Sequence, residues 1–373
     1  MSRRKHQSDP IAPGPAAGEI VSLQLEWFGR TARDLPWRRT RDPYAIWVSE
    51  IMLQQTQVKT VIPYWERWMR DLPDVQSLAA ANPDRVHKLW EGLGYYTRVR
   101  NMQKAAQVVM ARHGGVFPRK FDDVLELPGI GRYTAGAICS IAFQHPRPIL
   151  DGNVVRVLTR LFAIGEDPRE KQTNARLWDL AALLVAAAGS AETKRGKLHP
   201  VSAFNQSLME LGALICTPRT PRCDDCPLRH RCLALRTSRV HELPNLGERM
   251  RITPRRFAAF VVRKRNHVLV RQRPAGVVNA HLWEFPNVEL EQGSADVHSA
   301  GRGLLGFVPE QVASLCTIRH SITRYRITLD AYVTCWNAKS GRVAGTWKTL
   351  EQLDELAFTS AHRRIVKLMQ RAA

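Results

Sequence analysis

Four cysteines near the middle of the chain lie in one short segment. In ICTPRTPRCDDCPLRHRC, six, two and five residues separate consecutive cysteines. Thiolates this close in sequence usually share a metal centre, and metal binding would hold in shape a loop too small to bury itself. Either zinc or an iron–sulfur cluster is compatible with these ligands, although zinc ribbons usually combine two distant CxxC pairs. The predicted ligands are Cys216, Cys223, Cys226 and Cys232.

A second candidate site is the glycine-rich segment LPGIGRYTAGAI, residues Leu127–Ile138. A Gly-x-Gly turn between two helices lets backbone N–H groups approach a phosphate, and the next helix adds the positive end of its dipole. Gly129, Gly131 and Thr134 are therefore predicted to contact a nucleic-acid backbone, which fixes position without reading sequence. Glycines also occur in helical hairpins for steric reasons alone. The whole segment resembles the helix-hairpin-helix motif of DNA repair glycosylases.

Two carboxylates flank this segment in sequence. Glu50 lies in the mainly apolar helical stretch WVSEIMLQQTQV, and Asp151 follows an apolar run in PILDGNVVRVLTR. A carboxylate among apolar residues is costly unless it is paired or used in chemistry. Glu50 could instead be a buried ion-pair partner, for example of Arg38. Asp151 could cap the helix that follows it, and this role is compatible with catalysis.

The elements that must position these groups are predicted from periodicity. From about Glu19 to Leu235, long amphipathic helical segments alternate with short turns, and from Phe257 onward runs rich in Val, Ile, Thr and aromatics indicate strands. We expect an all-α domain followed by a smaller α+β domain. The predicted boundaries are a disordered basic arm over 1–18, a helical catalytic domain over 19–235, a linker over 236–253 and the α+β domain over 254–373.

The charge of the chain limits the class of partner. Its 373 residues include 55 Lys and Arg against 34 Asp and Glu, a formal net charge of +21. Such an excess attracts a polyanion, and nucleic acid is the leading candidate. No membrane association is expected, because the longest apolar run, Leu180–Ala188, is too short to span a bilayer. The first residues lack the apolar stretch of a secretory signal, so we expect a cytoplasmic, nucleoid-associated bacterial protein.

Several motifs together carry a specific resemblance. WVSEIMLQQTQV, LWEGLGYYTRVRNMQKAA, LPGIGRYTAGAI, ILDGNVVRVLTRLF, FNQSLMELGALIC and the cysteine loop occur in this order. This order is similar to that of the adenine DNA glycosylases of the endonuclease III superfamily, over roughly two hundred residues. The resemblance implies a helix-hairpin-helix glycosylase domain with one [4Fe-4S] cluster held by the loop at 216–232.

The resemblance also implies roles for single residues. In the family, the glutamate at the position of Glu50 protonates adenine, and the aspartate at the position of Asp151 steadies the sugar cation. Lyase-active relatives resemble LPG-x-GRK and have a nucleophilic Lys where this chain has Tyr133, which cannot form a Schiff base. The remaining carried-over residues are Trp37, Arg38 and Glu210 as walls of the adenine pocket, Gln55 and Tyr95 as wedges beside the opposing base, and Asn153 as a polar neighbour of the sugar. Trp37 could equally be a core residue.

The C-terminal region is similar to the Nudix-like domain of the same family, in VVNAHLWEFPNVEL and LAFTSAHRRIVKLM. The carboxylate-rich Nudix box is absent, so diphosphate hydrolysis is not expected. In the family this domain senses 8-oxoguanine through a short loop, to which His320, Ser321 and Thr323 correspond. Ile322 and Arg324 replace the usual Phe and final His. Alternatively, His320 and Thr323 are polar residues of a strand edge.

The function implied is that of a monofunctional DNA glycosylase, which excises adenine mispaired with 8-oxoguanine or guanine. The expected partner is double-stranded DNA containing such a pair, and the expected state is a monomer. Two alternatives remain at this point. One is a bifunctional glycosylase and lyase of the endonuclease III kind, which Tyr133 and the extra domain disfavour. The other is a non-catalytic lesion-binding iron–sulfur protein, which the presence of both Glu50 and Asp151 disfavours.

Overall fold

The structure, a computed structural model, describes residues 14–191, 199–248, 251–291, 296–309, 311–336 and 343–372. Most of the predicted N-terminal arm therefore lies outside the described residues. No described helix is long and apolar enough to cross a membrane.

The secondary structure is helical first and mixed afterwards. In chain order, the helices are α1 (Gly14–Thr31), α2 (Pro43–Leu53), α3 (Val58–Asp71), α4 (Val75–Ala80), α5 (Pro83–Trp90), α6 (Thr97–His113), α7 (Phe121–Leu125), α8 (Arg132–Phe143), α9 (Gly152–Leu161), α10 (Lys171–Gly189), α11 (Pro200–Leu214), α12 (Leu233–Arg236), α13 (Val297–Leu305) and α14 (Ser360–Ala372). The strands are β1 (Thr253–Lys264), β2 (His267–Gln272), β3 (Trp283–Glu284), β4 (Asn287–Leu290), β5 (Ala313–Ile322), β6 (Tyr325–Cys335) and β7 (Thr346–Thr349).

The chain forms two compact units, and the first is helical. It runs to Val58 and from Val108 to Glu248. Helix α11 packs against α1, α8, α9 and α10 and so forms the centre of this unit. Its close approach to α9 requires glycine at position 212, where a Cβ atom would lie 2.6 Å from the Cβ of Asn153. Helix α2 packs against α8, which brings the apolar stretch containing Glu50 to the helix of the glycine-rich hairpin.

The second unit combines helices with a sheet. It consists of Lys59–Gln107 and Arg249–Ala373. The sheet has the strand order β3-β2-β1-β6-β5, with β4 also paired to β1 and β7 to β2. Strands β1 and β6 are parallel, and the other pairs are antiparallel. Apolar residues cover both faces, one of them packed with residues of α14 and the other with residues of α13.

The division of the chain differs in three places from the predicted boundaries. The predicted arm ends too late, because α1 already begins at Gly14. The first half of the predicted linker packs on the helical unit, where Val240 and Leu243 join Ala234 in a small apolar cluster. Residues 59–107 group with the C-terminal segment, because helix α5 and the loop after it are hydrogen-bonded to that segment. Amphipathic periodicity identifies helices but does not indicate which apolar surface each one meets.

Candidate active site

The Glu50 carboxylate is buried in an apolar helix. Helix α2 begins at Pro43, capped by Asp42, whose side chain accepts hydrogen bonds from the amides of Tyr44 and Ala45. Every residue from Tyr44 to Met52 is buried, and Glu50 itself is 5% exposed. Loss of hydration raises the pKa of Glu50 to about 7, against the opposing effects of a hydrogen bond from Tyr133 and the charge of Arg38. At neutral pH this carboxyl group can therefore hold and release a proton.

Tyr133 connects Glu50 to the glycine-rich hairpin. It lies in the first turn of α8, and its hydroxyl donates to Oε2 of Glu50 at 2.6 Å. Burial and the neighbouring carboxylates raise the pKa of Tyr133 well above its ordinary value, so it stays protonated and acts as a donor. The bond engages one carboxyl oxygen of Glu50. The other is then the atom from which a proton can be given to a bound base.

Asp151 is both the cap of α9 and a neighbour of Glu50. Its Oδ1 accepts from the amide of Val154 at 2.7 Å, and its Oδ2 accepts from Nδ2 of Asn153 at 2.9 Å. Burial raises the pKa of Asp151, while these hydrogen bonds and the charge of Arg156 oppose the rise. The negative charge of Asp151 in turn contributes to the raised pKa of Glu50. The capping role weighed from the sequence is thus present.

Helix α9 also links the aspartate to the cysteine loop. Arg156 donates to the side chain of Asn153 at 2.8 Å and to the backbone carbonyl of Cys216 at 2.7 Å. One turn later, Nη1 of Arg160 lies 3.3 Å from the sulfur of Cys216 and 2.8 Å from the carbonyl oxygen of Thr217. Neither arginine was predicted from the sequence to be part of the site. Their spacing of four in VVRVLTR, which places them on one helix face, was the available signal.

The four cysteines line one small cavity of about 30 Å³, together with residues such as Arg160, Ile215 and Val240. Burial raises the pKa of Cys226 to about 12, and the other three thiols act on it as neighbouring charges, so the sulfurs converge. Within the described ranges, no group of three or more His, Cys, Asp or Glu is arranged to hold a single metal ion. The soft ligand set and apolar lining suit a thiolate-bound cluster.

Glu210 is a second buried glutamate with the opposite electrostatic environment. Arg33 donates to it through Nε at 2.8 Å and Nη2 at 2.6 Å, and Arg38 through Nη2 at 2.9 Å. Burial alone would raise its pKa, but these hydrogen bonds outweigh burial and lower the pKa to about 2. Arg38 therefore pairs with Glu210 and not with Glu50. Trp37, the residue before Arg38, is 6% exposed. Arg33 was not predicted from the sequence to be part of the site.

The hairpin turn has the geometry that its glycines predict. Gly129 has a φ of +78°, in the left-handed region that favours glycine, and Gly131 precedes α8 in extended conformation without a side-chain cap. The first amides of α8 are then available to an anion. The side chain of Thr134 is buried, so a phosphate contact at this residue would come from its backbone amide.

Gln55 and Tyr95 each adopt a left-handed backbone, with φ of +58° and +48° respectively. Such strain in a residue other than glycine is typical of functional loops. In the C-terminal segment, His320 and Ser321 are near the end of β5, and Thr323 lies in the turn before β6. Strand β5 is at the sheet edge, and the Thr323 hydroxyl donates to the carbonyl oxygen of Ile322 at 2.7 Å.

Comparison with known proteins identifies the family. The chain is 35% identical to an adenine DNA glycosylase of Rattus norvegicus, in an alignment that covers 99% of this chain and 83% of the relative. The chain belongs to the adenine DNA glycosylase family. It is also 36% identical to the adenine DNA glycosylase of Buchnera aphidicola from Schizaphis graminum, over 72% of this chain and 75% of that one.

Three family models match separate parts of this adenine DNA glycosylase. Residues 48–182 match the HhH-GPD superfamily of base excision DNA repair proteins, and residues 258–368 match the NUDIX domain. Residues 216–232 match the iron–sulfur binding domain of endonuclease III. Among solved structures, a thermostable thymine-DNA glycosylase superposes with a TM-score of 0.53 at 29% identity, covering 61% of this chain and all of the other.

These findings confirm the predicted fold class, an all-α helix-hairpin-helix glycosylase domain with an iron–sulfur loop and a smaller α+β Nudix-like domain. They also confirm the predicted activity, that of an adenine DNA glycosylase in base excision repair, and the iron–sulfur cofactor. DNA is the substrate. The curated relatives are DNA glycosylases, which favours an enzyme over the alternative of a non-catalytic binding protein.

Substituting Glu50 by Gln should stabilise the glycosylase in a pH-dependent way. A folded-state pKa of about 7 lies above the unfolded value of 4.5, so the folded state retains a proton that the unfolded state has lost. Stability contributed by the protonated group is complete below pH 4.5 and is lost as pH rises through 7. In chemical denaturation, the free energy of unfolding of Glu50→Gln relative to wild type should increase with pH, by about 3 kcal/mol between pH 4.5 and pH 8. A difference independent of pH would contradict a raised pKa.

Proposed function

We propose that this adenine DNA glycosylase excises adenine opposite 8-oxoguanine or guanine as a monomer and leaves the DNA backbone intact. The observation that carries the proposal is the buried carboxyl group of Glu50, with a pKa of about 7 and a hydrogen bond from Tyr133. The adenine must leave the base stack before its glycosidic bond can be reached, and a mispair lowers the cost of that step.

Glu50 supplies the proton for base departure. Its protonated form donates to N7 of adenine, which makes a poor leaving group into a good one. Because the pKa of Glu50 is about 7, the group is partly protonated at neutral pH and is still acidic enough to release the proton. Once the base has left, the ionised carboxylate can accept a proton from the attacking water. Tyr133, whose hydroxyl stays on Oε2, keeps the carboxyl group in one orientation throughout.

Asp151 stabilises the sugar. Departure of adenine leaves positive charge on the ring oxygen and C1′, and an ionised carboxylate close to this position stabilises it electrostatically or by transient attachment. The amide of Val154 and the side chain of Asn153 favour the ionised form of Asp151. Two carboxyl groups with different surroundings thus take the acid role and the charge-stabilising role.

The four cysteines of the loop would hold the iron–sulfur cluster, and Arg160 and Arg156 would fix the cluster loop to α9. When bound, such a cluster would cross-link this loop. The base-excising chemistry is assigned to the carboxylates. Trp37, with Arg38 held by Glu210, would border the adenine, while Gln55 and Tyr95 would enter the duplex beside the opposing base.

The products distinguish this proposal from a glycosylase with lyase activity. On duplexes with one adenine opposite 8-oxoguanine or guanine, single-turnover reactions should give strand breaks only after alkali treatment, because Tyr133 cannot form a Schiff base. Glu50→Gln should bind the same duplex but excise adenine about a hundredfold more slowly or worse. Efficient trapping by borohydride on abasic DNA, or near wild-type excision by Glu50→Gln, would contradict the proposal.

The metal content tests the ligand assignment. Purified protein should be yellow-brown and contain about four iron atoms per chain. Replacing Cys226 by Ser should lower the iron content and the protease resistance of residues 216–232, whereas replacing the buried Cys139 outside the loop should leave iron unchanged. Zinc without iron in anaerobically purified protein would contradict the assignment.

A further inference from the structure

The loop that presents Tyr95 is held in a strained shape. Gly92, Gly94 and Tyr95 have φ of +107°, +70° and +48°, all in the left-handed region. Gly92 cannot be replaced without movement, because a Cβ atom there would lie 2.2 Å from the hydroxyl of Tyr64. A residue such as Tyr95 persists in this conformation only when its surroundings over-determine it. The contacts around the loop therefore decide where the Tyr95 ring points.

The Tyr95 ring is supported on the protein side and open on the other. Its exposed fraction is 49%, which is high for a large aromatic side chain. The guanidinium of Arg98 lies 5.7 Å from the ring centroid and also donates to the carbonyl oxygens of Leu93 and Gly94, at 2.9 and 3.0 Å. Arg98 thus ties the ring to the backbone of its own loop and leaves an aromatic surface available for stacking.

Glu91, the first residue of this loop, is bound by the C-terminal segment. Its Oε1 accepts from Nε of Arg363 at 2.7 Å and from the amide of Phe358 at 2.8 Å, while its Oε2 accepts from Nζ of Lys88 at 2.7 Å. The side chains of Glu91 and Arg363 are only 13% and 12% exposed. A buried ion pair is a weak source of net stability, but it fixes geometry where its hydrogen bonds are complete.

Two further contacts fasten the same helical region to the C-terminal segment. The ring of His87 stacks on that of His281, with 6.5 Å between centroids and 8° between planes. Arg100, shortly after the loop, donates to the carbonyl oxygen of Ala280 at 3.1 Å. The loop that presents Tyr95 is therefore bounded before and after by contacts to the Nudix-like part of the chain.

We propose that Glu91 and Arg363 are positioning residues for Tyr95. Through this ion pair, recognition of the base opposite adenine depends on the C-terminal segment. Arg363 belongs to α14, in the segment that also carries the β5–β6 turn predicted to contact 8-oxoguanine. The ion pair sets the position of Tyr95, and Tyr95 belongs to the same unit as that turn. The inference rests on the proposed function, in which Tyr95 enters the duplex beside the base opposite adenine, and it adds a preference for 8-oxoguanine over guanine at that position.

The experiment compares full-length Arg363→Gln and Arg363→Lys with wild type and a matched control. The control is Arg271→Gln, which removes a partner of the buried Glu284 in the same unit and makes no contact with the loop in the described structure. Single-turnover excision is measured with excess enzyme on duplexes with adenine opposite 8-oxoguanine or guanine. A second readout is the fluorescence of 2-aminopurine placed next to the opposing base, which rises when a wedge unstacks it.

In Arg363→Gln, the excision rate opposite 8-oxoguanine divided by the rate opposite guanine should fall about fivefold or more. The 2-aminopurine signal should drop to that of a Tyr95→Ala variant measured alongside. Arg363→Lys, which keeps the charge, should restore part of both, and Arg271→Gln should change neither. An unchanged ratio in Arg363→Gln, or an equal fall on both duplexes with the fluorescence retained, would overturn the inference alone. A wild-type enzyme without any preference would also overturn the inference, whereas a wild-type enzyme that excises adenine from neither duplex would contradict the proposed function.

Discussion

A carboxyl group with almost no access to water determines the arrangement of the helical unit. Glu50 lies within a helix in which Tyr44–Met52 are all buried and mostly apolar, and the hydroxyl of Tyr133 is 2.6 Å from its Oε2. For this contact to form, α8 must lie against α2 with its first turn at the level of Glu50. The same first turn follows the glycine-rich hairpin. The acid and the proposed anchor for the DNA backbone are thereby built into one packing interface.

The comparison of Glu50 with Glu210 shows how surroundings set protonation. Both are almost fully buried, but two arginines donate to Glu210 and lower its pKa to about 2, whereas Glu50 receives a neutral hydroxyl and has a pKa of about 7. Glu210 is thus a permanent anion that orients Arg33 and Arg38. Glu50 is a reversible proton carrier. The two glutamates differ in role because arginines donate hydrogen bonds to Glu210, whereas Arg38 acts on Glu50 only weakly through its charge.

Much of the fold was predictable because its signals are local. Helical periodicity, the change to strand-forming residues after Phe257 and the cysteine spacing depend on neighbouring residues, and the predicted fold class is confirmed. The grouping of residues 59–107 with the C-terminal segment depends on Glu91 meeting Arg363, 272 positions away. No local pattern specifies such a pair.

The candidate site shows the same limit. The sequence identified Glu50 and Asp151 as unusual, because a carboxylate beside apolar runs is costly. It did not show that Arg38 would pair with Glu210, nor that Arg33 would bind the same carboxylate. Several acidic residues of the chain could have paired with either arginine. It also missed Arg156 and Arg160, whose partners are mostly backbone oxygens and a thiol of a distant loop. Every residue has a backbone carbonyl acceptor, so the sequence does not indicate which of them an arginine will contact.

The pH dependence of adenine excision tests most directly whether Glu50 acts as a reversible acid. Single-turnover rates on a duplex with adenine opposite 8-oxoguanine should be highest near or below pH 7 and fall about tenfold per pH unit above the pKa of Glu50. At lower pH, protonation of Asp151 should reduce the rate again, so the profile should be bell-shaped. A rate that stays constant from about pH 6 to pH 9 would show that no group with the raised pKa of Glu50 delivers the proton.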